Sequence, residues 1–326
     1  MPTKRALITG IGGQDGSYLA ELLLEQGYDV HGIIRRASVA ENQNSRVQHI
    51  GSRITLHYGD LLDVFSLQRI VRDVDPDEVY NLGSQSHVRI SFDVPSYTIQ
   101  TNALGVLNIL EVFRQLCPKA RFYQASSSEM FGDSIDPDGY QRESTPMHPV
   151  SPYGCAKLLG FNLVRHYRAA YGLFVSNGIL FNHESCRRGS NFVTRKVVKS
   201  AVEIKLGKRS DVHLGNLDAY RDWGHSRDYV SAMHLILQHD SPDDIVVATG
   251  ETHSVREMCE HVFNRLDMCY SDFVVQDPRL IRPQELPALR GDPTKAHDLL
   301  GWTPSCTFAD LMNEMVDEEL RHATAQ

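Results

Sequence analysis

A chain of 326 residues with 41% apolar and 23% charged residues has the make-up of a soluble globular protein, long enough for one doubly wound domain and a smaller second lobe. Its formal net charge of −8 argues against broad polyanion binding, so no nucleic-acid partner is expected and any phosphate site has to be a local cationic cluster. No apolar stretch reaches membrane-spanning length, no basic-then-apolar leader precedes the first strand, and the six cysteines form no Cys-x-x-Cys pair; together these predict a cytoplasmic protein with reduced thiols, no disulfides and no metal site.

The first predicted strand is 5–10 (RALITG), and 17–26 (SYLAELLLEQ) follows as a helix with Leu19, Leu22 and Leu23 inward. Between them Gly10, Gly13 and Gly16 stand at the spacing G-x-x-G-x-x-G, with Gln14 and Asp15 in the same turn. Glycine permits the tight turn and lets backbone N–H groups approach a pyrophosphate at the start of the helix, so strand, glycines and helix in this order predict dinucleotide binding. The second strand, 29–34, ends in Arg35-Arg36 rather than in an acidic residue. A carboxylate there would hydrogen-bond the ribose of NAD, whereas two positive charges suit the extra phosphate of NADP. A third strand, 54–58, leads to Asp60-Leu61, expected over the adenine, and 79–86 (VYNLGSQS) reads as the fourth strand and its cofactor-facing loop.

Strand signals at 121–125 and 174–180 continue an alternation with amphipathic helices that predicts a parallel sheet covered on both faces, the Rossmann-type doubly wound α/β class. Residues 133–149, rich in Asp and Pro, read as a mobile loop. Beyond residue 182 the alternation weakens into short helices (191–206, 255–266), isolated strands such as 212–214, an irregular 278–293 with four prolines, and a final helix from 308 to about 323. The expected division is therefore 1–181 as the cofactor domain and 182–326 as mainly a mixed α/β substrate lobe, with roughly 215–250 returning to the first domain.

Two constellations carry chemistry. Tyr153 and Lys157, at i and i+4 on a predicted helix, share one face, and Glu129 precedes the tyrosine by 24 residues in Ser126-Ser127-Ser128-Glu129. A fixed ammonium favours the phenolate and is expected to lower the phenol pKa, as removal of a proton from a sugar hydroxyl requires. The second is a cationic set: Arg187-Arg188, Arg195-Lys196, Lys199, Arg221 and Arg282. Converging arginines suit the diphosphate of a sugar nucleotide, and scattered surface charge is the alternative.

These residues resemble the extended short-chain dehydrogenase/reductase enzymes, and within them the GDP-mannose 4,6-dehydratases, over 6–315. The narrow pieces are QASSSEMFG, SPYGCAK, GILFNHES, RDWGHSRDYV and GDPTKAHDLLGW. The resemblance implies a lyase with an internal redox cycle through a recycled NADP. In it Tyr153 takes the O4 proton as C4 is oxidised, Lys157 holds the nicotinamide ribose, Ser127 hydrogen-bonds O4, and Glu129 removes the C5 proton before water leaves from C6. Ser128 stands where the thymidine-diphosphate-glucose dehydratases carry an aspartic acid, so Glu129 would act as base and acid. Cofactor contacts carried over by motif fall on Gly10, Gly13, Gln14, Asp15, Gly16, Arg35, Arg36, Ser38, Asp60, Leu61, Leu82, Ser86, Tyr97, Lys157, His183 and Arg188. Those to the GDP sugar fall on Ser86, Asn182, Lys196, Gly215, Arg221, Arg282 and Glu285. The resemblance also implies a homodimer or homotetramer. A dehydratase of another GDP sugar such as a GDP-heptose, a sugar-nucleotide 4-epimerase or 4-reductase, and a non-catalytic NADP-binding protein remain as alternatives; Glu129 counts against the epimerase.

Overall fold

In the computed structural model of the protein, which describes residues 3–36, 45–281 and 283–324, strands and helices alternate through the first half. They are β1 (Arg5–Thr9), α1 (Gln14–Glu25), β2 (Asp29–Ile34), β3 (Ile54–Tyr58), α2 (Val64–Val74), β4 (Glu78–Asn81), α3 (Val88–Asp93), α4 (Pro95–Ile99), α5 (Gly105–Leu116), β5 (Arg121–Ser127), α6 (Pro152–Tyr171) and β6 (Val175–Leu180). There follow β7 (Asn182–Glu184), α7 (Val193–Lys205), β8 (Val212–Leu214), β9 (Tyr220–Arg221), β10 (Trp223–His225), α8 (Ser226–Gln238), β11 (Asp244–Val247), β12 (His253–Ser254), α9 (Val255–Asn264), β13 (Val274–Gln276), β14 (Ala288–Leu289), α10 (Thr294–Leu300) and α11 (Phe308–Thr324).

Seven strands form one sheet in the order β11-β6-β5-β4-β1-β2-β3, with every neighbouring pair parallel. A parallel sheet covered on both faces must be apolar almost throughout, and Ala6, Leu7 and Ile8 of β1 are fully buried while β4 and β6 expose nothing. Alternate residues face opposite layers: Ala6 and Ile8 join the core under α1 and α8, and Leu7 joins the core under α2, α5 and α6. Each such aliphatic side chain contributes on the order of 1.5–3 kcal/mol by leaving water. The strand order reverses at β1, whose neighbours are β4 on one side and β2 on the other. Ligands of open α/β sheets bind at the carboxyl ends of strands at such a switch point.

Late elements return to this sheet, since β11 pairs with β6 and α8 packs on α1. A separate core gathers Val197 and Val198 of α7, Val262 and Phe263 of α9, and Met312 and Val316 of α11. Three two- or three-stranded ribbons, β7–β10, β8–β13 and β12–β9–β14, link the two halves around the strand ends.

One expectation is corrected. Residues 133–149 are pinned rather than loose: Arg142 reaches Asp136 at 3.0 Å, Asp138 at 2.5 Å and Asp292 at 2.6 Å. The Gln141 backbone exchanges hydrogen bonds with Arg290 and Asp292, and Glu143 accepts the Val246 N–H of the sheet's edge strand at 2.7 Å. Asp and Pro composition marks absence of regular structure and says nothing of side-chain anchors supplied from 150 residues away.

Candidate active site

The turn after β1 is built by steric exclusion. Gly10 has φ +71°, and a Cβ there would lie 2.9 Å from the Gly83 nitrogen; one at Gly16 would lie 2.4 Å from the Gly10 carbonyl oxygen. Only glycine lets the β1–α1 turn, the β4 loop and the first turn of α1 approach so closely. The helix therefore starts at Gln14, three residues earlier than its apolar periodicity suggests, and its N-cap Gly13 makes no side-chain capping bond. The first turn keeps backbone N–H groups for an anion.

The catalytic candidates come from the ends of β5 and α6. Ser151 caps α6 by accepting the Gly154 N–H at 3.0 Å, and Pro152 occupies the first turn, where its missing N–H costs nothing. A Cβ at Gly154 would sit 2.7 Å from the Glu129 carbonyl oxygen, so this glycine allows α6 to press on the turn carrying Glu129. Ser127 caps that turn through the Glu129 N–H at 3.2 Å and stands beside the Tyr153 phenol. Lys157 donates to the Ala125 carbonyl at 2.9 Å, with its nitrogen 5.7 Å from the centre of the Tyr153 ring.

The electrostatics differ from expectation. Burial pushes the Tyr153 phenol up to about 12, although the neighbouring Ser127 hydroxyl and the Arg188 charge pull it down; Glu129 and Asp15 add to the rise. Burial also brings Lys157 down to about 8, against the pull of Asp15. The i,i+4 pair does share a face, but its ammonium is aimed at a backbone carbonyl, and desolvation of the phenol outweighs it.

A third group sits where α1 meets β7. His183 lies 2.8 Å from the Asp15 carboxylate through Nε2 and 2.7 Å from the Phe181 carbonyl through Nδ1, with its ring stacked on Tyr229 at 4.6 Å. Gln14 donates to the His183 carbonyl and to Asp15, each at 3.1 Å, and accepts from Ser185 at 2.8 Å. Further out, Arg188 pairs with the buried Glu184 at 3.0 Å and lies 3.7 Å over the Phe192 ring.

All of these open on one cavity of about 1640 Å³ at the carboxyl ends of the strands. Every expected site residue among the described ones lines it except Tyr97, whose hydroxyl takes a hydrogen bond from Arg35. Ser38 and Arg282 lie outside the described residues. Of the cationic set, Arg187, Arg188, Lys196 and Arg221 reach the cavity wall. Arg195 pairs instead with Glu319, and Lys199 stands 3.9 Å from Glu203. Arg221 and Lys196 are held by main-chain oxygens, Arg221 from Leu286 at 3.0 Å and Lys196 from His213 at 2.6 Å. The wall also contains residues that no motif singled out: Arg46, which bonds the carbonyls of Gly12 at 3.2 Å and Arg187 at 2.8 Å, and His87, which meets the Asn191 carbonyl at 3.1 Å and the Phe192 ring at 4.9 Å. His87 directly follows the flagged Ser86; Arg46 offered no signal, since only folding brings it to Gly12.

Residues 7–315 match the family model described as GDP-mannose 4,6 dehydratase. The chain belongs to the GDP-mannose 4,6-dehydratase family. It is 49% identical to GDP-mannose 4,6 dehydratase 2 of Arabidopsis thaliana, over 99% of this chain and 88% of that protein. It is 47% identical to GDP-mannose 4,6 dehydratase of Drosophila melanogaster, over 97% of this chain and 86% of that one. Among solved structures, the UDP-glucose 4-epimerase of Thermus thermophilus in complex with NAD superposes with a TM-score of 0.86 at 25% identity, over 98% of this chain and 99% of that chain. The fold is thus shared with an epimerase, while the sequence places the chain among the dehydratases. The family depends on a nucleotide cofactor.

Proposed function

We propose that this chain is a lyase converting GDP-mannose to GDP-4-keto-6-deoxymannose and water, with NADP bound in the β1–α1 half of the cavity. The observation that carries this reading is the placing of Ser127, which caps the turn that bears Glu129 and stands close enough to the Tyr153 phenol to pull its pKa down. One hydroxyl thereby relates the group that handles the O4 proton to the carboxylate that handles the C5 proton. The glycine cradle, where any Cβ collides, and the uncapped start of α1 fit a dinucleotide diphosphate. When bound, the dinucleotide supplies an acceptor for the C4 hydride and later returns that hydride to C6.

The chain's own groups then have separate tasks. Tyr153 would take the O4 proton, and its high pKa means that ionisation needs positive charge nearby, which Lys157 would supply. Once C4 is a ketone, the C5 hydrogen is acidic; Glu129 takes it and passes it to the C6 hydroxyl, which leaves as water. Arg221 and Lys196 would meet the GDP diphosphate, joined by Asn182, Gly215, Ser86 and Glu285 on the cavity wall, while Arg188 would serve the cofactor. Arg35 and Arg36, exposed at the end of β2, would take the ribose phosphate that distinguishes NADP from NAD.

Residues 1–181, with 215–250 returning through α8 and β11, form the proposed cofactor domain, and most of 182–326 the substrate lobe. We propose a homodimer or homotetramer. Supporting it, α4 and the π-turn after it pack on α6, and Ile99, Leu104 and Leu159 on these elements are 47%, 47% and 50% exposed. No helix among the described residues is long and apolar enough to cross a membrane; a cytoplasmic location is proposed. Incubation with GDP-mannose and NADP should give a sugar nucleotide lighter by one water, with no net build-up of NADPH. An unchanged mass with GDP-mannose and with other GDP sugars would overturn the reading.

A further inference from the structure

The first turn of α1 holds a contradiction. Its free N–H groups and the positive end of the helix dipole invite a diphosphate, yet Asp15, in that same turn and on the cavity wall, carries a carboxylate. A carboxylate there stabilises the bare helix end and for the same reason competes with an incoming anion. His183 offers the balancing charge. Its Nδ1 faces the Phe181 carbonyl at 2.7 Å, which only accepts, so Nδ1 carries a hydrogen; its Nε2 faces the Asp15 carboxylate at 2.8 Å. A ring with acceptors at both nitrogens is satisfied as an imidazolium. Burial works against that charge, but Asp15 outweighs it, and the His183 pKa is raised while that of Asp15 is lowered.

The two partners come from different parts of the chain. Asp15 belongs to the β1–α1 turn, whereas His183 sits on β7 beside Asn182, which also lines the cavity. His183 is fixed on the stacked ring of the fully buried Tyr229, and its carbonyl is tied to Gln14. We infer that the Asp15–His183 ion pair is a charge-balancing positioning device: the imidazolium of β7 cancels the carboxylate at the place where the cofactor's diphosphate must sit. Docking of β7 against α1 thereby makes the helix end usable by an anion. Both are positioning residues, acting on the cofactor site rather than on the reacting atoms.

This rests on the dinucleotide reading above, and the test keeps the two apart. Affinity for NADP and NADPH is measured by titration calorimetry and by NADPH fluorescence on the wild type, Asp15→Asn, His183→Asn and the double variant. His183→Asn removes the cation bonded to the Asp15 carboxylate, leaving only the more distant charges of Arg188 and Lys157, and should weaken binding at least about tenfold. Asp15→Asn should lose markedly less affinity than His183→Asn, because its amide can donate to the neutral Nε2 and the pair stays uncharged. The double variant should recover most of the loss. If Asp15→Asn weakens binding as much as His183→Asn, or the double variant recovers nothing, the pair is only a structural clasp and the inference falls. Should His183→Asn not fold, Asp15→Asn alone decides it: a loss of about tenfold or more overturns the inference, and a smaller one upholds it. A wild type that binds no dinucleotide would sink the dinucleotide reading itself.

Discussion

The two ends of the cavity are made of different materials. At the β1–α1 end the wall is backbone, and its shape follows from glycines that tolerate no Cβ. Elsewhere the wall is long cationic side chains held by main-chain oxygens, Arg221 by those of Tyr220 and Leu286 and Lys196 by that of His213. A backbone site survives any substitution that leaves the turn intact and fails sharply when a Cβ intrudes. A side-chain site loses affinity in increments. Between the two lies the Ser127–Glu129–Tyr153 group, where geometry and not affinity is at stake.

The largest effect should come from this middle group. Glu129→Gln is expected to lower turnover by about a thousandfold or more while GDP-mannose still binds, seen as a fall in kcat with little change in KM. Next, at the backbone end, Gly16→Ala places a methyl group 2.4 Å from the Gly10 carbonyl oxygen. It should cost roughly 1–3 kcal/mol of stability and most of the dinucleotide affinity, read by thermal unfolding with and without NADP. At the side-chain end, Arg221→Ala should raise KM for the GDP sugar by roughly 10–100-fold and leave dinucleotide affinity unchanged. Equal losses of both ligands in that variant would erase the distinction between the ends.

A smaller effect concerns pH. The Lys157 pKa is brought down to about 8, so its ammonium is present below that value and is lost as pH rises through it. If the charge serves Tyr153, turnover should fall on the alkaline side from near pH 8. A flat profile to pH 9.5 would show that the ammonium is not needed. Smallest of all, Arg36→Ala should narrow the preference for NADP over NAD by about tenfold, measured as the ratio of the two affinities.

What the sequence revealed follows the same division. Strands β2, β3 and β8 run over the expected residues, because short runs rich in Val, Ile, Leu, Thr and Tyr between turn signals mark strands even where burial is partial. The cofactor turn was legible for the same reason, as spacing of glycines maps onto one local turn. The site's side-chain half was only partly legible. Arg187 and Arg188 lie in one visible cluster, but Arg46 joins them solely through the fold, and Arg195 leaves them for Glu319. The pKa expectation for Tyr153 failed because sequence spacing reports which groups are close and not how much water they lose. The Asp15–His183 contact spans 168 positions, a separation at which sequence gives no register.

The central claim is that hydride leaves C4 and returns to C6 of the same sugar while Glu129 moves the C5 proton. GDP-mannose carrying deuterium at C4 tests it most directly, with the product read by mass spectrometry and proton NMR in ordinary water. The account predicts that the deuterium appears in the C6 methyl group and that one solvent hydrogen enters at C5. Deuterium retained at C4, or lost into a reduced cofactor that accumulates, would contradict it.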